Sequence, residues 1–309
     1  MNATIASLLV ALVVIAAWYV WRWMSLERSR RSGPARTPRP ADVLLGFVTD
    51  FFDTLGIGGF APTTAVFKLF RRVPDEDIPG TLNAGHALPT LTEALIFIAA
   101  VTVDPLTLVG MIAASVAGAW FGAGAVSRLP RRAVQLGMGS ALIAAALLML
   151  ASNLNWLPGA GLANGLTGAR LVFAIAMNFV LGALMTLGVG LYAPCFIMVC
   201  LLGMNPLAAF PIMMGSCAFL MPVGAARFIR AGRYSVRAAL ALTLGGIPGV
   251  LLAAYAVVNW LPIKAVRWLV VVVVLVAAAL LLLGARRSPE RAAPSAGAAR
   301  SAGTNRDPA

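Results

Sequence analysis

The sequence predicts an all-α polytopic membrane protein: an N-terminal transmembrane helix, then two inverted-topology repeats, each with a re-entrant broken-helix hairpin and three transmembrane helices. Three observations predict it. Hydrophobic residues make up 60% of the 309 positions and charged residues 11%, with a mean hydropathy of +0.89; a soluble domain is about a quarter charged. Apolar runs cover 5–20, 105–126, 133–151, 207–226, 238–258 and 265–283, and most reach the roughly 17–25 residues that a bilayer-spanning helix needs. Finally, the string "TLGIGGFAP" from Thr54 returns as "TLGVGLYAP" from Thr186 inside another apolar stretch.

The first run has no basic residue ahead of it and "RWMSLERSRR" behind it. A cleavable signal peptide has the opposite charge order, so residues 1–40 are expected to be a retained anchor and basic loop, with the N-terminus outside. Beyond it, the two halves match at a constant offset of 132: Pro62 with Pro194, Pro74 with Pro206, Pro79 with Pro211, and "LPRRAV" from Leu129 with "LPIKAV" from Leu261. Self-similarity over this span marks a duplicated unit. The expected organisation is a first repeat at 43–152, an external linker at 153–170, a second repeat at 171–284 and a cytoplasmic tail at 285–309 of disordered composition. In each repeat a short segment follows the Gly cluster, 62–70 and 194–202. Each would cover about 14 Å, roughly half the hydrocarbon thickness, which predicts hairpins that enter and leave on one side.

The net charge of +13 is topological and not a nucleic-acid footprint. All but three of the 24 Lys and Arg residues (Arg170, Lys264 and Arg267) fall after the first helix, around 68–72, 128–132 and 227–237, or in the tail. Cytoplasmic loops collect basic residues in this way. The loops place the first hairpin on the cytoplasmic side and the second on the outer side, so the repeats are inverted, as in secondary transporters. A cell inner membrane location with a cytoplasmic C-terminus follows. The three cysteines, Cys195, Cys200 and Cys217, lie in apolar stretches without metal-site spacing and are expected to be small buried hydrophobes.

Gly, Pro and Thr are costly in a lipid-embedded helix, so their repeated use needs a reason. Non-helical backbone survives in a membrane only where protein covers it or it lines a cavity. Gly56, Gly58 and Gly59, with Gly188 and Gly190 opposite, would permit tight turns. Pro62 and Pro194 suit the first position of a new helix. The N–H groups of Thr63, Thr64 and Ala65, and of Cys195, Phe196 and Ile197, would then point to the membrane centre and hold a small anion. The competing reading is that these glycines only allow close helix packing. In the first half Asn83, His86, Thr90 and Glu93 form one helical stripe, and Glu93 would lie about 16 Å along its helix, near the midplane. Thr63, Thr64 and Asn83 are candidate hydrogen-bond donors to the anion; Asp53, His86 and Glu93 are candidate proton carriers, with Asp50 beside them. One histidine without a second ligand motif argues against a metal, and "GIGG" lacks the Lys-Ser/Thr of a nucleotide loop; no metal or cofactor is expected.

"GIGGFAPTTA", "IPGTLNAGHALPT" and the second-half "GVGLYAP" and "NPLAAFPIMMGS" resemble the sulfite exporter TauE/SafE family of membrane permeases over about residues 43–284. The resemblance implies movement of sulfite or an organosulfonate. The reading is thus a secondary transporter, exporting a small anion held between two half-helix N-termini and coupled to protons, and not an enzyme. A passive anion channel of the same architecture and an intramembrane enzyme using His86 and Glu93 are the alternatives. The expected partners are the anion and the lipid bilayer, with no nucleic acid; a homo-oligomer is left open.

Overall fold

A computed structural model describes residues 3–28, 37–122, 131–154, 161–185, 191–260 and 262–287. Among these the chain forms eleven α-helices: α1 (Ala3–Arg28), α2 (Pro40–Thr54), α3 (Phe60–Leu69), α4 (Ile78–Ala100), α5 (Pro105–Ala117), α6 (Arg131–Asn153), α7 (Gly168–Met185), α8 (Tyr192–Leu201), α9 (Ala209–Ala231), α10 (Val236–Trp260) and α11 (Ile263–Arg287). The fold is all-helical, and four stretches are long and apolar enough to cross a membrane: Ala3–Arg28, Gly168–Met185, Pro206–Ala231 and Val236–Trp260. The apolar run at 105–126 is α-helical only to Ala117 and continues as a wider π turn over Gly118–Gly122; its last residues lie outside the described ones, as do residues 155–160 of the linker and the tail after Arg287.

Local chemistry sets many of the helix ends. Pro40 and Pro105 open α2 and α5, where a missing N–H costs nothing. Asp104 caps α5 by accepting from the Thr107 N–H at 2.9 Å. Gly232, in the left-handed region at φ 72°, ends α9.

The short helices α3 and α8 have ten residues each and start 132 positions apart, as do α6 and α11. Both short helices begin two residues before the prolines at 62 and 194, which corrects the expected starts: each proline is the third helical residue. Packing between the halves is reciprocal. α2 lies along α10 and α7 lies along α5, while α4 crosses α9 and α6 crosses α11.

Glycines make the first of these crossings close. Gly46 of α2 faces the Leu242 backbone of α10, and Gly245 and Gly249 of α10 face the carbonyls of Val43 and Phe47. Backbones that approach this closely gain dispersion and weak Cα–H contacts that a side chain would prevent. At the centre α4 and α9 run antiparallel, with Gly80 against Arg233 at one end and Gly215 against Ile98 toward the other. Phe97 stacks on Phe210 there, with ring centroids 4.9 Å apart, and Phe196 meets Phe210 edge to face at 5.1 Å.

Polar contacts gather at two ends of the body. The α2–α3 hairpin opens where Arg72 pairs with Asp42 at 3.2 Å, beside the Arg233–Asp77 pair and the Ser235 N–H on Thr81. The residues before α7 and after α8 meet at the other end, where Asn205 bonds to Ala163 and Asp104 to Asn164, at 2.8 and 2.7 Å. The helix α4, running from Ile78 to Ala100, separates these two ends.

Two asymmetries stand out. Every residue of α8 from Tyr192 to Cys200 is buried except Pro194, whereas α3 buries only Thr63 and Phe67. α8 is wedged among α6, α7, α9 and α11, while α3 touches chiefly α2 and α4. The helix α1 is also more than an anchor. Tyr19 donates to the Ala84 carbonyl at 2.9 Å, Trp23 donates to the Tyr234 hydroxyl, and that hydroxyl donates to Glu27 at 2.6 Å.

The α2–α10 crossing yields a prediction. A Cβ at Gly245 would overlap the Val43 carbonyl oxygen and stand 2.8 Å from the Phe47 nitrogen. Gly245→Ala should therefore cost about 1–3 kcal/mol, the usual range for overpacking, seen as a lower melting midpoint by tryptophan fluorescence in detergent. An unchanged midpoint would show that the two helices do not need this approach.

Candidate functional site

The last turns of α2 carry Asp50, Asp53 and Thr54, and the middle of α4 carries His86, Thr90 and Glu93; all six are buried. The glycine face of α10 is what brings the α2 end in. Gly246 meets Asp50 Oδ2 where any side chain would collide with it and with Pro89. Pro89 itself has a structural consequence. It removes the N–H that would bond the Gly85 carbonyl, and Thr243 of α10 donates its hydroxyl to that carbonyl instead, at 2.7 Å.

Asp53 Oδ1 accepts from the Gly59 N–H at 2.6 Å, closing the turn between α2 and α3. Gly56 and Gly58 in that turn adopt φ of +96° and +89°, conformations that an L side chain strains to reach. Gly56 also lies against the ring of Phe196, so this turn touches α8 of the other half.

Hydrogen bonds tie the cluster to α3. The Thr63 hydroxyl lies 2.7 Å from the Gly59 carbonyl and 3.3 Å from His86 Nε2, and which of the two it donates to follows the tautomer of the ring. His86 Nδ1 shares a proton with Asp50 Oδ1 at 2.7 Å. The other oxygen, Asp50 Oδ2, has no hydrogen-bond partner among the described residues. Glu93 is held at both oxygens: Thr54 reaches Oε1 at 2.7 Å and the Tyr192 hydroxyl reaches Oε2 at 2.9 Å. Thr54 also lies 2.7 Å from the Asp50 carbonyl, so its hydroxyl has two acceptors to choose from.

Of the residues expected from sequence, Gly56, Gly59, Asp53, Thr63, His86 and Glu93 are brought together, and Gly58 lies in the same turn. Others are not. Asn83 donates to the carbonyl of Pro79 in its own helix at 2.9 Å, beside Gly224 of α9, well along α4 from Glu93. Thr64 is half-buried and outside this set of bonds. The N–H groups of Thr63 and Cys195, expected to be free, bond to the Gly59 and Leu191 carbonyls at 3.1 and 3.0 Å. With the helices starting early, the open first turn of α3 consists of the Gly59, Phe60 and Ala61 N–H groups, and Asp53 takes the first of them. Pro62 and Pro194 contribute none. Gly188 and Gly190 lie outside the described residues.

Tyr192 and Thr54 are the contributors that sequence reasoning missed. The available signal was the pairing of positions at an offset of 132, where Tyr192 answers to Phe60. Asn178 of α7 was missed as well. It is buried, donates to the Met111 carbonyl at 2.6 Å and lies 3.3 Å from the Ser216 hydroxyl. The cysteines are free and buried, as expected, and no cluster of three metal-ligating side chains occurs among the described residues.

A helical body with membrane-length apolar helices around buried ionisable side chains marks a membrane protein. The model of the sulfite exporter TauE/SafE family, a family of membrane permeases, matches residues 1–149. That match spans α1 and most of the first half and agrees with the motif resemblance there. No match was found among curated proteins or among solved structures.

The His86–Asp50 pair gives a second prediction. Removing one member of a buried pair strands the other, which costs about 3–5 kcal/mol. Asp50→Asn and His86→Ala should each lower stability by that order, and the double variant by clearly less than the sum. Unfolding of all four proteins in detergent measures this; strict additivity would show that the pair is uncoupled.

Proposed function

We propose that the protein is a secondary transporter that exports a small anion, such as sulfite or an organosulfonate, across the cell inner membrane, with coupling to protons. The observation that carries this reading is the bond from Asp53 to the Gly59 N–H. The first turn of α3 already accepts an anionic oxygen inside the membrane body, as helix N-termini do. An incoming oxyanion competes for the same backbone groups. A proton on Asp53 weakens its hold on them, so loading of the anion and of a proton favour each other.

The remaining assignments follow from this. Gly56, Gly58 and Gly59 shape the approach at α3, and the opening turn of α8 with Pro194 and Cys195 shapes it at the other half. Asp53, His86 and Glu93 carry the protons, with Asp50 holding His86. The reciprocal helix pairs, and the polar contacts at two ends of the body, support two inverted repeats with N-terminus outside and C-terminus inside. Export and the sulfur anions rest on the TauE/SafE match.

The test is sulfite flux in proteoliposomes with and without a pH gradient, comparing wild type with Glu93→Gln. Gradient-stimulated flux is expected, reduced about tenfold or more in the variant, the scale of one lost charge-assisted hydrogen bond. Flux indifferent to both would mean a passive channel. Absence of flux for any small sulfur anion would reject the substrate class.

A further inference from the structure

We infer that Tyr192 is a positioning residue: its hydroxyl bond to Glu93 is the contact through which the acid cluster of the first half sets the placement of α8 in the second. The inference rests on the transport reading only for its purpose; the contact itself is geometric. Tyr192 is the first residue of α8 and is buried, and its oxygen lies 2.9 Å from Glu93 Oε2, 99 positions away in sequence. The matching residue of the first half, Phe60, has no hydroxyl and only packs its ring near His86, with centroids 5.7 Å apart. One oxygen atom thus distinguishes the two helix starts.

The two sides of Glu93 respond differently to a proton. When Glu93 is ionised, Thr54 and Tyr192 both donate to it. With a proton on Oε1, Glu93 donates to Thr54, which turns its own hydrogen to the Asp50 carbonyl 2.7 Å away. The Thr54 side therefore accommodates both states. On the other side Tyr192 goes from a charged acceptor to a neutral one, and such bonds are about half as strong. A proton on Oε2 would reverse the bond, with Glu93 donating to the Tyr192 oxygen as one neutral group to another. In each case protonation loosens the start of α8.

Other titratable groups face Glu93 from the surrounding helices: Asp50 and Asp53 on α2 and Cys217 on α9, with His86 of α4 beside the two aspartates and Cys195 of α8 beside Cys217. From α10 the cluster meets Gly246 and Thr243, and from α3 it meets Thr63, none of which titrates in this range.

Cys195, three residues into α8 from Tyr192 and fully buried, reports on the helix start without any assay of transport. The experiment uses full-length protein in liposomes with Cys200→Ala and Cys217→Ala. Modification of Cys195 by a small thiol reagent is followed from mildly acidic to mildly alkaline pH, normalised at each pH to the unfolded chain. Acidification is expected to raise the normalised rate. Tyr192→Phe should label about tenfold faster at alkaline pH with the pH dependence lost, Glu93→Gln should behave alike, and the double variant should add nothing. Either single variant carries the test should the other fail to fold. Labelling by Tyr192→Phe or Glu93→Gln at the wild-type rate, with pH dependence intact, would overturn the inference. Sulfite flux measured in parallel separates the two readings: the labelling pattern without flux would retain Tyr192 and reject the transporter.

Discussion

Four ionisable side chains, Asp50, Asp53, His86 and Glu93, are buried in an apolar helical body, and most of the architecture around them can be traced to that constraint. In lipid an unsatisfied polar group costs several kcal/mol, so each group must be delivered to a partner. Delivery to Gly59 shapes the α2–α3 turn. Delivery to Thr63 fixes the face of α3. Delivery of Glu93 to Thr54 and Tyr192 ties three helices from both halves. The glycine face of α10 is the counterpart of this cluster. It lets α2 come close enough for Asp50 to lie against Gly246, and it carries the threonine that compensates Pro89.

Positions that match at the offset of 132 differ in chemistry. His86 and Glu93 answer to Ala218 and Ala225, and Asp50 and Asp53 to Gly182 and Met185. The second half instead supplies bulk: Phe196, Ile197, Met198 and Val199 fill α8 where α3 has Thr64, Ala65, Val66 and Phe67. Burial follows composition, with α8 enclosed and α3 largely open on one face. The buried ionisable cluster thus lies on α2 and α4, and α8 meets it through the Tyr192 hydroxyl.

Much of this was legible in the sequence because it depends on short-range pattern. The repeated Gly-Pro strings gave the short helices to within two residues, and the 3.6-residue spacing of His86 and Glu93 put them on one face. The start of α3 was misjudged because the rule for proline at the first position competes with a turn closed by Asp53, which lets the helix begin earlier. Asn83 shares the stripe yet bonds to its own helix, since position along the axis, and not the face alone, decides what a side chain meets. Tyr192, Thr54 and Thr243 were out of reach for a different reason. Their partners lie in another helix, α4, and only the packing of α2, α8 and α10 around it brings them together.

The close α2–α10 crossing also bears on how such a chain is made. Membrane proteins are synthesised from the N-terminus, and α2 through α4 leave the ribosome well before residues 236–260 exist. Until then Asp50 lacks the wall formed by Gly246, the Gly85 carbonyl lacks Thr243, and Glu93 lacks Tyr192. The nascent first half is thus a set of polar groups awaiting cover. The packing of α10 beside α2 therefore comes late in synthesis, and the acid cluster gains its full set of partners only then.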